Sequence, residues 1–189
     1  WPRYGICSGQ GGCSYGDPKS QGFQEVATAS LAASLELGAF GYARLVLENY
    51  LAHYVRSHGR LFYRGYEMAQ AARLLTLAAD FYAFTGDGAP LLKHFAKLRG
   101  VAALLLARRD DALARFPDAS DPRHGMPVGN DEADLFRVTA NPASAQSTEM
   151  PFYSIAAETA AGFASLGSAW AKLGAARGRA DVTATGAAL

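Results

Sequence analysis

Much of what this sequence lacks limits what it can be. Cysteine is nearly missing: Cys7 and Cys13 are the only two, and no second Cys or His pair stands at zinc-ligand spacing. Both lie in Cys7-Ser8-Gly9-Gln10-Gly11-Gly12-Cys13. That segment either closes as a disulfide, placing the protein outside the cytosol, or holds two unpaired thiols. Net charge is almost absent: 18 Lys and Arg against 17 Asp and Glu leave +1. Nothing in that balance draws the chain to nucleic acid or to an anionic membrane surface. A run such as Val101 to Ala107 is far too short to cross a bilayer, so no membrane partner is expected. No Gly-x-Ser-x-Gly elbow occurs, and the strand it needs is not predicted. Ser8-Gly9-Gln10-Gly11-Gly12 lacks the lysine and the preceding strand of a phosphate-binding loop. His53, His58 and His94 share no metal-ligand spacing, so neither a metal nor another cofactor is expected.

What remains is an ordinary globular composition, 50% hydrophobic and 19% charged, of a length that suits one domain. After an irregular stretch over 1–20 the pattern turns helical. Phe23, Val26, Ala27, Ser30 and Leu31 open a first helix, which Gly38 ends. In a second helix, Tyr42 to Val55, residues Tyr42, Leu45, Val46 and Tyr50 form one apolar face. Ala43, Leu47, Leu51 and Tyr54 form another, with Arg44 and Glu48 as a narrow polar strip, so burial on both sides is expected. A third helix runs from Glu67 to Phe84. A fourth starts with Asp87 as cap and Pro90 in its first turn, and ends at Arg108 and Arg109. A fifth opens near Pro151 with Ile155, Thr159, Phe163, Leu166, Trp170 and Leu173 as its stripe. It ends at Gly174, before a sixth over 175–189. Phe81, Tyr82, Phe95, Phe163 and Trp170 are read as core.

The tight turns at Gly38, Gly86 and Gly174 set a period. The first interval is 48 residues and the second 88, which falls to about 50 once the long connection over 116–149 is set aside, the range of a helical hairpin. Three αα-hairpins with doubly apolar helices would form an arc with open edges. The start at Trp1 and the lack of a stop signal after the sixth helix lead us to expect an excerpt of a longer protein, its remainder completing the arc.

The connection over 116–149 is several times the usual length, and long loops are either functional or disordered. It contains Asp121-Pro122-Arg123-His124-Gly125-Met126-Pro127-Val128-Gly129-Asn130-Asp131-Glu132-Ala133-Asp134, with three carboxylates in its last four residues. Together with Tyr63-Arg64-Gly65-Tyr66-Glu67, Tyr82-Ala83-Phe84-Thr85-Gly86-Asp87 and Met150-Pro151-Phe152-Tyr153-Ser154, and with the hairpin period, it resembles the six-hairpin glycosidases. The resemblance implies an all-α fold, αα-hairpins forming about half of an (α/α)6 toroid, and a carbohydrate-active enzyme whose long loops gather at one end as a sugar-binding funnel.

Glycoside hydrolysis needs one carboxylic acid to protonate the leaving oxygen. It needs a second carboxylate roughly 5 Å away for retention, or about 6.5 to 9.5 Å away for inversion. Asp131, Glu132 and Asp134 are candidates for one role, with Glu67 or Glu149 as the opposing partner, unless that partner lies elsewhere in the parent chain. The alternatives are that Asn130 or Asp131 caps a short helix with Glu132 in its first turn, that Glu67 pairs with Arg64, and that Glu149 is a helix-start charge. Tyr63, Arg64, Tyr66, Arg123, Asn130, Phe152 and Tyr153 are candidate substrate contacts, with Trp1 and Tyr4 as further aromatics; any of these rings also serves as core. His124 either hydrogen-bonds substrate or is a turn residue satisfied by backbone. Two other readings stay open: a non-catalytic helical-repeat binding module, and a sugar lyase or epimerase on the same scaffold, since fold does not fix function.

Overall fold

A computed structural model describes residues 24–61, 68–129 and 150–189. These residues hold seven helices, α1 (Gln24–Glu36), α2 (Phe40–His53), α3 (Met68–Thr85), α4 (Ala89–Lys93), α5 (Phe95–Arg115), α6 (Tyr153–Arg177) and α7 (Ala180–Ala187). Two-residue strands β1 (Val128–Gly129) and β2 (Met150–Pro151) complete the described elements. The chain is therefore all-α, as expected. Gly38 and Gly86 both take positive φ, 72° and 70°, the left-handed geometry that ends a helix without a Cβ penalty.

Five expectations need correction. The expected fourth helix is two helices: His94 leaves helical geometry with φ −106° and ψ 19°, although neither proline nor glycine marks the break. The second piece runs past Arg108 and Arg109 to Arg115, because Ala112 is buried and Arg115 pairs with Asp111 at 2.8 Å. It stops where Pro117 disfavours helix at Phe116. The cap of α4 is Gly88 rather than Asp87, although Asp87 Oδ1 still accepts the Ala89 N–H at 2.9 Å.

Gly174 does not end its helix either. The helix continues to Arg177, and Gly178, with φ 63°, ends it. A Cβ on Gly174 would lie 2.4 Å from Thr183 Oγ1, so this glycine is present for close helix contact. Finally, α2 buries one broad face, Ala43, Val46, Leu47, Tyr50 and Leu51. Leu45, expected inside, is 54% exposed, because it lies beyond the edge of that stripe and no helix among the described residues covers it.

Contacts fix the helix directions. Thr28 of α1 donates to Gln70 of α3 at 2.9 Å near both helix starts. Gly162 of α6 lies against Ala72 and Leu75 of α3, and Arg73 approaches Glu158 at 4.0 Å. Thus α1, α3 and α6 run the same way, with α3 in the middle. Glu48 of α2 binds Lys93 at 2.9 Å, and Leu51 and Ala52 accept from Lys97, so α2, α4 and α5 share the opposite direction. α7 returns along α6, with Gly186 against Gly167. The tight turns at Gly38, Gly86 and Gly178 lie at one end of this bundle; the described residues 54–61, 116–129 and 150–152 lie at the other.

The core runs between these layers. Phe81 and Trp170 are buried, while Tyr82, Phe95 and Phe163 pack partly buried against them, and Phe95 meets Trp170 edge-on at 4.9 Å. Lys97 ties α5 to the carboxyl end of α2, its Nζ donating to Leu51 O at 2.7 Å and Ala52 O at 2.8 Å. A cation there complements the helix dipole and carbonyls left without helical partners. Replacing Lys97 by Met, which keeps the aliphatic stem, is expected to cost about 1 kcal/mol in urea unfolding; an unchanged midpoint would show these bonds to be dispensable.

Candidate functional site

The loop end is built on the stem of the long connection. After α5, Asp118 accepts from the Ser120 backbone and hydroxyl at 2.9 and 2.8 Å, closing one turn. Asp121 then grips Arg123 with both carboxylate oxygens, at 2.9 and 2.6 Å, and accepts its backbone N–H at 2.8 Å. The Arg123 guanidinium draws the Asp121 carboxyl down to about 2 and lies 4.1 Å from the centre of the Phe116 ring. His124 Nδ1 is 2.8 Å from Phe116 O; with a carbonyl as partner, the proton belongs on Nδ1. Arg123 and His124 therefore hold the stem together, and the backbone-satisfied reading of His124 describes its bonding here.

Gly125, at φ 72°, turns the chain toward β1. Val128 faces Pro151 and Gly129 faces Met150 in an antiparallel pair, and β1 rests on α5. The pair draws the two ends of the 130–149 segment together, adjacent strands lying roughly 5 Å apart. Two-residue strands carry no alternation for a sequence to show, so this stem was not foreseen.

Beyond β2, Phe152 packs half-buried against the core, while Tyr153 opens α6 with 77% of its surface exposed. Met150 beside it is also exposed, and sequence reasoning did not single it out. The amino ends of α3 and α6 are neighbours, and Met68 and Met150 mark where the 62–67 and 130–149 segments re-enter this end. Tyr63, Arg64, Tyr66, Glu67, Asn130, Asp131, Glu132, Asp134 and Glu149 lie outside the described residues, as do Trp1, Tyr4, Cys7 and Cys13.

Away from this end, Asp80 is half-buried on α3, and desolvation holds its carboxyl above the ordinary range. It sits about 18 Å along the helix from Met68, toward the end of the tight turns. Among the described residues no group of three His, Cys, Asp or Glu could hold a metal ion, and no helix is long and apolar enough to cross a membrane.

Set against protein-family models, curated proteins and solved structures, the chain matches none.

Proposed function

We propose that this chain is part of a carbohydrate-active enzyme, a glycoside hydrolase working with paired carboxylates, on an (α/α)6 toroid of which these hairpins form about half. The observation that carries the reading is the shared end of the two long connections. The segments bearing Glu67 and bearing Asp131, Glu132, Asp134 and Glu149 leave and re-enter the bundle opposite its tight turns, beside two parallel helix starts. Parallel α1, α3 and α6 with α2, α5 and α7 antiparallel to them also suit a ring of inner and outer helices.

On this reading Glu132 or Asp131 supplies one side of the reaction and Glu67 or Glu149 the other. One carboxylic acid hands its proton to the glycosidic oxygen as the bond to the anomeric carbon breaks. The second carboxylate attacks that carbon or takes a proton from the attacking water. Tyr153 offers an exposed ring face, and a flat face of that kind suits the C–H side of a pyranose.

The test is a panel of glycosides incubated with the intact polypeptide, with released reducing sugar as the readout. Hydrolysis of at least one glycoside, weakened by Asp131→Asn or Glu132→Gln in folded protein, is the expected result. A detected activity indifferent to both substitutions would remove this loop from the reaction. Unsaturated or epimerised products in place of hydrolysis would replace the hydrolase with a lyase or epimerase.

A further inference from the structure

α4 and α5 would be one helix but for His94. Its carbonyl accepts the N–H groups of Lys97 and Leu98 and so begins α5, yet its own backbone stands outside helical geometry. The residue is only 8% exposed, and among the described residues the imidazole Nε2 is buried without a hydrogen-bond partner. Buried polar atoms are nearly always paired, which makes this orphan informative.

Charged groups face the ring from three elements: Glu48 on α2, Lys93 on α4 and Lys97 on α5. The carboxylate of Glu48 is already engaged by Lys93 and Arg44, each at 2.9 Å. Lys97 is committed to the end of α2, with Arg56 adding positive potential beside it. An added proton on His94 would meet two cations and one occupied anion in a place with little water. Burial first, then Lys93 and Lys97, hold the imidazole below its ordinary pKa, with Glu48 opposing.

We propose that the joint at His94 is an acid-labile hinge, at which protonation of the buried ring lets α4 come away from α2 while α3 and α6 stay packed. The opening is local because α4 is only five residues long, with Pro90 and Leu91 its buried side chains, and the Lys93–Glu48 and Arg44–Asp87 pairs that flank it are solvent-accessible; such pairs contribute little. α5 stays anchored through Phe95 on Trp170 and through Gly100 against Ser57 and Gly59. A base kept neutral when closed and free to protonate when open makes opening easier as pH falls below about 6.5. Above that pH the closed joint keeps its full stability. The loss ends once pH has passed the pKa of the closed form.

Native-state hydrogen exchange reads the hinge directly. The Leu92 and His94 amides are bonded to Gly88 O at 3.1 Å and Pro90 O at 3.0 Å. Their protection factors are expected to fall, by up to about tenfold, between roughly pH 7.5 and 5.5, those in α6 are expected to hold, and His94→Gln should abolish the fall. Unchanged protection at Leu92 and His94, an equal fall throughout α6, or a fall that survives in His94→Gln would overturn the proposal. Should that variant not fold, the wild-type ring decides by NMR titration. An imidazole that titrates at or above about 6.5 overturns the hinge, and one that titrates below it, together with the local fall, supports it.

Discussion

Glu132→Gln in the intact polypeptide is expected to slow glycoside hydrolysis by about 10²- to 10⁴-fold, equivalent to roughly 3 to 5 kcal/mol of transition-state stabilisation. Glutamine keeps the size and hydrogen-bonding shape of glutamate but can neither deliver a proton nor carry the charge of a nucleophile. The leaving group separates those two roles. If Glu132 is the acid, an aryl glycoside with an acidic phenol needs little protonation, and the variant should recover much of its rate on it. If Glu132 is the nucleophile, no leaving group rescues it. Asp131→Asn should cost far less if Asp131 merely caps the turn, about 1 kcal/mol of stability and little rate. Circular dichroism of each variant ensures that lost rate is not lost fold. Equal, full activity in both variants on a hydrolysed glycoside would end the assignment.

Gly59→Ala is expected to be the most damaging small substitution in the described scaffold. Gly59 has φ 81°, a conformation that costs an alanine about 1 to 2 kcal/mol. An added Cβ would also fall 2.1 Å from Gly100 C and O. Those are backbone atoms inside α5 and cannot swing aside, so overpacking adds roughly 1 to 3 kcal/mol more. The reciprocal contact is also too close for a side chain, since a Cβ on Gly100 would meet Ser57 O at 2.6 Å. Gly86→Ala isolates the conformational part: φ is 70°, but nothing lies within 4 Å of the new atom. Urea midpoints should therefore drop more for Gly59→Ala than for Gly86→Ala, and equal drops would show that the crossing of the 56–60 turn over α5 is not tight. That crossing holds the stretch leading into 62–67, so the variant should also disturb whatever chemistry Glu67 takes part in.

The candidate site was legible as segments. A connection of such length between helices, with Asp131, Glu132 and Asp134 close together, stands out from its composition alone. How Arg123 and His124 are used was not legible, because a guanidinium and an imidazole in a polar loop suit a ligand and a neighbouring turn equally well. Their partners, Asp121, the Phe116 ring and the Phe116 carbonyl, become partners only once the loop has curled back on the end of α5.

By itself the sequence determined what is written within one or two helical turns. Apolar spacing marked α1, α2, α3 and α6, Gly38 and Gly86 marked tight turns, Pro90 marked the start of α4, and Phe81 and Trp170 were placed in the core. Tertiary structure decided whatever depends on a distant neighbour. It split the fourth helix at His94 and exposed Leu45. It made Gly174 a contact point for Thr183 rather than a stop, and joined Val128 to Pro151 across the long connection. Periodicity reports which face of a helix is apolar. Which neighbour covers that face, and how closely, is settled only when residues far apart in the chain compete for the same volume.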